Sequence, residues 1–232
     1  MLKKLKTWIF RNKIKAIIFD YDGVLNDSLE ALRLLYNEFY RFGFIHTYFK
    51  DDVQFSKFFQ GDCHKNMEAA GMELTEENIK KADEFVKKVL PPLDDKASFY
   101  EGVAKLIHRL KDDGYRLAIV SNGYEPVISA KLKRYGLENT IDHIIDYYQV
   151  SKPKPSPEGL LKCLKALNLK PKETLYIGDM ESDVQAAKAA GIKVIATTYG
   201  YYHLRDDKFE RLQDADMFAD SVDEVYEKIK NA

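Results

Sequence analysis

Acidic side chains stand directly after apolar runs at two places in this chain. Asp20 and Asp22 follow IKAIIF at 14–19, and Asp179 closes TLYIGD at 174–179 with Asp183 four residues on. Ser121 and Asn122 end the run RLAIVS in the same way, and Lys152 stands in the proline-rich SKPKPSP. Carboxylates gathered in one place repel each other, and a hard divalent cation such as Mg2+, which takes oxygen ligands, is the ordinary remedy. A lysine and a hydroxyl beside such a cluster supply what a phosphate group needs. The plainer alternatives are Asp20 and Asp22 as turn residues, Ser121 as a helix cap and Asp183 as a charge at a helix start. Lys154 competes with Lys152 as the phosphate ligand.

These residues can meet only if their strands lie side by side. The run at 14–19 has no polar interruption, as expected of a strand buried on both faces of a parallel sheet. From residue 101 onward helical and strand patterns alternate, with helices at 101–113, 125–135, 158–167, 182–190 and 221–230. Strands are expected at 116–121, 143–146, 174–179 and 193–197. That alternation predicts an α/β fold, a Rossmann-like doubly wound parallel sheet. Its ligand crevice lies beyond the carboxyl ends of the strands, where all the residues above fall. Between them lies a purely helical stretch, with patterns at 28–42, 52–71 and 75–90 and Ser28 as N-cap of the first. Twelve aromatic residues from Tyr36 to Phe99 can give this insertion a core of its own. The expected division is a core of residues 1–26 and 99–232 and a helical cap domain of residues 27–98.

Composition narrows the possible partners. With 36 Lys and Arg against 37 Asp and Glu, the net charge of -1 argues against a dedicated nucleic-acid binder. No apolar stretch reaches the roughly 18 residues of a membrane span. Six of the first fifteen residues are basic and none is acidic, but no apolar core or cleavage site of a signal peptide follows. Cys63 and Cys163 are too few for a disulfide framework and read as packing residues of a cytoplasmic protein. A monomer or homodimer is expected.

DYDGVLNDS at 20–28, IVSNG at 119–123, Lys152 and GDMESD at 178–183 resemble the four ordered motifs of the haloacid dehalogenase superfamily, in its phosphatase branch. The resemblance spans nearly the whole chain. The insertion after the first motif is similar to the small cap of the group that includes phosphoglycolate phosphatases and β-phosphoglucomutases. This implies a Mg2+-dependent phosphatase in which Asp20 is the nucleophile, forming an aspartyl-phosphate, and Asp22 the general acid and base. It implies phosphate binding by Gly23, Ser121, Asn122 and Lys152, and a metal held by Asp20, Asp179, Asp183 and the backbone carbonyl of Asp22. In GDCHK at 61–65, His64 or Lys65 is the expected contact to the leaving group. The substrate implied is a small phosphate ester, phosphoglycolate or a sugar phosphate. A phosphomutase of the β-phosphoglucomutase type, or a non-catalytic binding module of the same fold, is the alternative.

Overall fold

A computed structural model describes residues 14–232; the reading of the basic N-terminus up to residue 13 lies outside them. A six-stranded sheet forms the core, from β1 (Ala16–Phe19), β4 (Arg116–Val120), β5 (His143–Ile145), β6 (Thr174–Gly178), β7 (Lys193–Thr197) and β8 (Met217–Ala219). Its spatial order is β5-β4-β1-β6-β7-β8, and every pairing is parallel. The chain therefore winds outward from β1 in one direction and then restarts from β1 in the other. This is the doubly wound order, with its crevice where the direction reverses.

Side chains alternate across the strands. Ile18, Ala118, Tyr176 and Val194 enter one buried cluster, while Ile17, Phe19, Leu117, Ile177 and Ile195 enter the other. Helices cover both faces. They are α5 (Val103–Asp112), α6 (Glu125–Arg134), α7 (Glu158–Leu167), α8 (Glu181–Ala190), the single turn α9 (Lys208–Arg211) and α10 (Val222–Lys230). In register, Phe19 faces Ile119 on one side and Ile177 on the other. Residues 20, 121 and 179 thus emerge together beyond the carboxyl ends of three adjacent strands.

The insertion leaves and rejoins the core through a short antiparallel ribbon, β2 (Asn26–Asp27) paired with β3 (Ser98–Phe99). Between these strands lie α1 (Leu29–Arg41), α2 (Asp52–Phe58), α3 (Cys63–Ala69) and α4 (Glu76–Asp94). Tyr36 organises their interior, with ring centroids 5.2–6.3 Å from Phe39, Phe49, Phe55, Phe58 and Phe59. The pattern at 52–71 is broken at Gly61 into α2 and α3, as its glycine suggests, whereas α4 runs past the expected end at residue 90, through Pro91 and Pro92 to Asp94. Those prolines remove two backbone donors, a loss kept to the last turn of the helix. The end of α4 is anchored by tertiary contacts instead. Asp94 and Lys131 form a buried ion pair at 3.2 Å, each under 5% exposed. Lys131 Nζ also donates to the carbonyls of Asp94 and Ala97, and Asn26 Nδ2 donates to Asp94 Oδ1 at 2.7 Å. This network ties the ribbon to α6 of the core.

Candidate active site

Lys154 Nζ lies 2.8 Å from Asp20 Oδ1 and 2.6 Å from Asp183 Oδ1, with all three side chains buried. The lysine that reaches the carboxylates is therefore Lys154. Lys152, the residue favoured by the sequence, is exposed, and its backbone N–H is held by Glu158 Oε2 at 2.9 Å. The sequence K-P-x-P occurs twice in overlap, from Lys152 and from Lys154; the path of the loop, which no spacing reveals, selects the second. Burial alone would lower the pKa of the Lys154 ammonium, but Asp183 and Asp20 hold it above its ordinary value, so it stays charged.

Asp183 is fully committed to donors of its own chain. Oδ1 accepts from Lys154 and from the Tyr176 hydroxyl at 2.9 Å, and Oδ2 accepts from the backbone N–H groups of Asp179 and Met180. It fastens the lysine to the start of α8. Burial, followed by repulsion from Asp183 and Asp20, raises the pKa of Asp179 well above the carboxylate range. Gly23 has φ +79°, and a Cβ there would fall 2.2 Å from Asp179 Oδ2. Only glycine permits the first acidic loop to lie against Asp179.

Asp22 turns away from this cluster. Its Oδ1 accepts from Ser28 Oγ at 2.5 Å, and Ser28 Oγ lies 2.8 Å from the buried hydroxyl of Tyr201. Ser28 occupies the N-cap position of α1 without making a side-chain cap bond, so its hydroxyl serves Asp22. Burial pushes the Asp22 carboxyl up to about 7, reinforced by the Asp94 charge and opposed by the Ser28 hydrogen bond. Tyr201 also donates its backbone N–H to Asp179 Oδ2 at 2.6 Å. Its role was invisible in the sequence, where only the Gly200 before it, following a strand, hinted at a close approach.

Ser121 lines the same cavity, and its Oγ accepts from the Gly123 N–H at 3.1 Å. Asn122 lines it too, but its amide is already spent. It donates to the carbonyls of Gly61 and Lys154 and accepts from the Lys154 N–H. It positions the insertion and the lysine loop rather than offering a free group to a phosphate.

The insertion closes the cavity with Leu35, Tyr36, Phe59, Cys63 and Leu90, facing Tyr124, Tyr147 and Tyr148 from the core. Neither His64 nor Lys65 lines it. The His64 ring is hydrogen-bonded to the Tyr147 hydroxyl at 2.9 Å, and Lys65 is exposed beside Asp62. Asp62 caps α3, and this orientation presents Cys63 to the cavity in place of its neighbours. Cys63, expected to be a packing residue, thus faces the site; Cys163 is buried in the core as expected, and both are free thiols.

One carboxylate oxygen each of Asp20, Asp179 and Asp183 lies within 4.8 Å of the others. Asp179 Oδ1 is buried without a hydrogen-bond partner among the described residues, and Asp20 Oδ1 has only the nearby Lys154 ammonium. An anionic oxygen buried this way is costly unless a cation or donor meets it. The donor set is all oxygen and fits a hard divalent cation. The Asp22 side chain is not part of the set. No helix among the described residues is long and apolar enough to cross a membrane.

The chain is 27% identical over 223 residues to pyrophosphatase PpaX of Halalkalibacterium halodurans, covering 92% of this chain and 95% of that protein. It is 28% identical over 191 residues to a phosphoglycolate phosphatase of Aquifex aeolicus, covering 82% and 88%. In fold it is similar to CbbY from Rhodobacter sphaeroides, solved in complex with xylulose-(1,5)bisphosphate, with a TM-score of 0.75 and 23% identity over 90% of this chain and 95% of that one. Residues 17–197 match the model of the haloacid dehalogenase-like hydrolases. With that match spanning most of the chain and both aspartate loops within it, the chain belongs to the haloacid dehalogenase-like hydrolase family.

Proposed function

We propose that this chain, a phosphatase of the haloacid dehalogenase-like family, hydrolyses a small phosphate monoester through an aspartyl-phosphate on Asp20. The observation that carries this reading is the placement of Asp20 and Lys154 2.8 Å apart in one cavity with Asp22 and Ser121. A carboxylate oxygen of Asp20 forms a bond to phosphorus as the bond to the leaving oxygen breaks, which divides one difficult displacement into two easier ones. Asp22 gives its proton to the leaving alkoxide. It then takes a proton from the water that attacks the acyl-phosphate, releasing inorganic phosphate and restoring Asp20. A carboxyl with a pKa of about 7 holds a proton in a useful fraction of molecules at neutral pH. The Lys154 ammonium and the Ser121 hydroxyl stabilise charge on the phosphoryl oxygens.

Asp20 and Asp179 would hold a Mg2+ ion, with Asp183 behind them, and the ion would supply charge neutralisation at the phosphoryl oxygens. The helical insertion of residues 27–98 acts as a cap over the site. Phosphoglycolate and sugar phosphates are the substrate kinds suggested by the relatives' names and by the ligand of the structural neighbour. A cytoplasmic setting fits two free cysteines.

The test is release of phosphate from p-nitrophenyl phosphate by the purified protein, with Mg2+ and after chelation. Wild type is expected to turn over only with the cation, and Asp20→Asn to be inactive. Undiminished turnover by Asp20→Asn would overturn the nucleophile assignment.

A further inference from the structure

The cavity that receives the leaving group has an unusual balance of charge. Among the described residues, Lys154 is its one basic lining side chain, and Lys154 is already engaged by two carboxylates. Beyond it and the catalytic loops the wall is mostly aliphatic and aromatic, from Leu32, Leu35, Val86 and Leu90 on the insertion to Tyr124, Tyr147 and Tyr148 on the core, with Ser182 as a polar exception. The space that water can occupy measures about 110 Å3, enough for a small organic group. The charged residue that the insertion contributes to this wall is an acid, Asp83 of α4. Asp83 makes no ion pair among the described residues, and its one hydrogen bond is from the Tyr148 hydroxyl at 3.4 Å. Lys87, one turn along α4 from Asp83, sits 4.4 Å over the Tyr148 ring, is exposed and does not line the cavity.

Beyond the Mg2+ site, an anionic leaving group, whether a carboxylate or a second phosphate, would therefore meet a largely apolar wall whose one charged side chain from the insertion is the Asp83 carboxylate. A polyol would leave most of its hydroxyls facing hydrocarbon. Both carry a desolvation cost that an apolar group avoids. Building on the phosphatase reading above, but departing from the substrate kinds that the relatives' names suggest, we infer that the preferred substrates are phosphate monoesters of apolar or aromatic alcohols. Asp83 is a specificity-determining residue that disfavours anionic leaving groups.

Three esters of unactivated alcohols test this, with kcat/KM measured for benzyl phosphate, phosphoglycolate and glucose 6-phosphate. Benzyl phosphate is expected to lead each of the others by at least about tenfold, the discrimination available from one mismatched polar group in an apolar pocket. Asp83→Asn is expected to reduce the ratio of benzyl phosphate to phosphoglycolate by about tenfold, the order of effect of one charge in a partly buried site. A wild-type enzyme that prefers phosphoglycolate or glucose 6-phosphate would overturn the inference while leaving the phosphatase reading intact. If no ester is hydrolysed, including p-nitrophenyl phosphate, the phosphatase reading fails instead. The pocket is then still tested by calorimetry, in which tighter binding of phosphonoacetate than of benzylphosphonate to the wild-type protein would refute the preference.

Discussion

Replacing Asp22 by asparagine should make the protein inactive and more stable, with a pH dependence that identifies the cause. The carboxyl titrates at about 7 in the folded protein against an ordinary value of 3.8. Between those values the folded state binds a proton that the unfolded state has lost, so wild-type stability falls as pH rises through that window. The difference of about three units sets a ceiling of about 4 kcal/mol above pH 7. Asp22 is only partly buried and faces an open cavity, and water reaching it halves that to about 2 kcal/mol. Asparagine keeps the acceptor for Ser28 and carries no charge. Asp22→Asn should therefore melt about 4–8 °C above wild type at pH 8.5, with the gap closing toward pH 4. Calorimetric melts of both proteins across pH 4–9, with divalent cations chelated, measure this directly. A gap independent of pH, or a less stable variant at pH 8.5, would refute the burial argument.

Lys154→Ala should lower kcat by about 10²–10³ if its charge stabilises the phosphoryl oxygens, whereas Lys152→Ala should remain close to wild type; steady-state kinetics on p-nitrophenyl phosphate separates the two lysines. Gly23→Ala should destabilise the protein by about 1–3 kcal/mol through overpacking against Asp179, visible in urea unfolding, together with loss of turnover. Lys131→Met strands a buried Asp94 carboxylate and should cost about 3–5 kcal/mol. Adding Asp94→Leu to it should recover much of that loss, and a double variant no more stable than Lys131→Met would show that the ion pair is not the reason.

The parallel core was legible because its strands are uninterrupted apolar runs bounded by turn residues, as at 14–19 and 174–178. The short strands β2, β3 and β8 were not, since two or three residues carry no periodic signal. At the site, the residues immediately after strands could be read because strand register fixes their position. Lys152 was preferred to Lys154 because it alone fits the family-like K-P-x-P-x-P pattern, while the path of the loop, which brings Lys154 to the carboxylates, leaves no mark in the sequence. The choice of His64 and Lys65 failed because the rotation of α3 about its axis is set by the Asp62 cap and by packing. The pairing of Asp94 with Lys131, and of Ser28 with Asp22 and Tyr201, depends on tertiary contact between segments that share no local pattern.

The Asn122 amide holds the Gly61 carbonyl of the insertion at 2.8 Å and both backbone groups of Lys154 at about 3 Å. The position of the insertion and that of the lysine loop are therefore linked through a single side chain. That link is one neutral hydrogen bond on the insertion side, a net contribution of about 1 kcal/mol. Most of the hold on the insertion lies elsewhere on the same face, in His64 with Tyr147, Asp83 with Tyr148 and the Ser56 carbonyl with Arg205, so losing the Asn122 amide should disorder the lysine loop more than it frees the insertion.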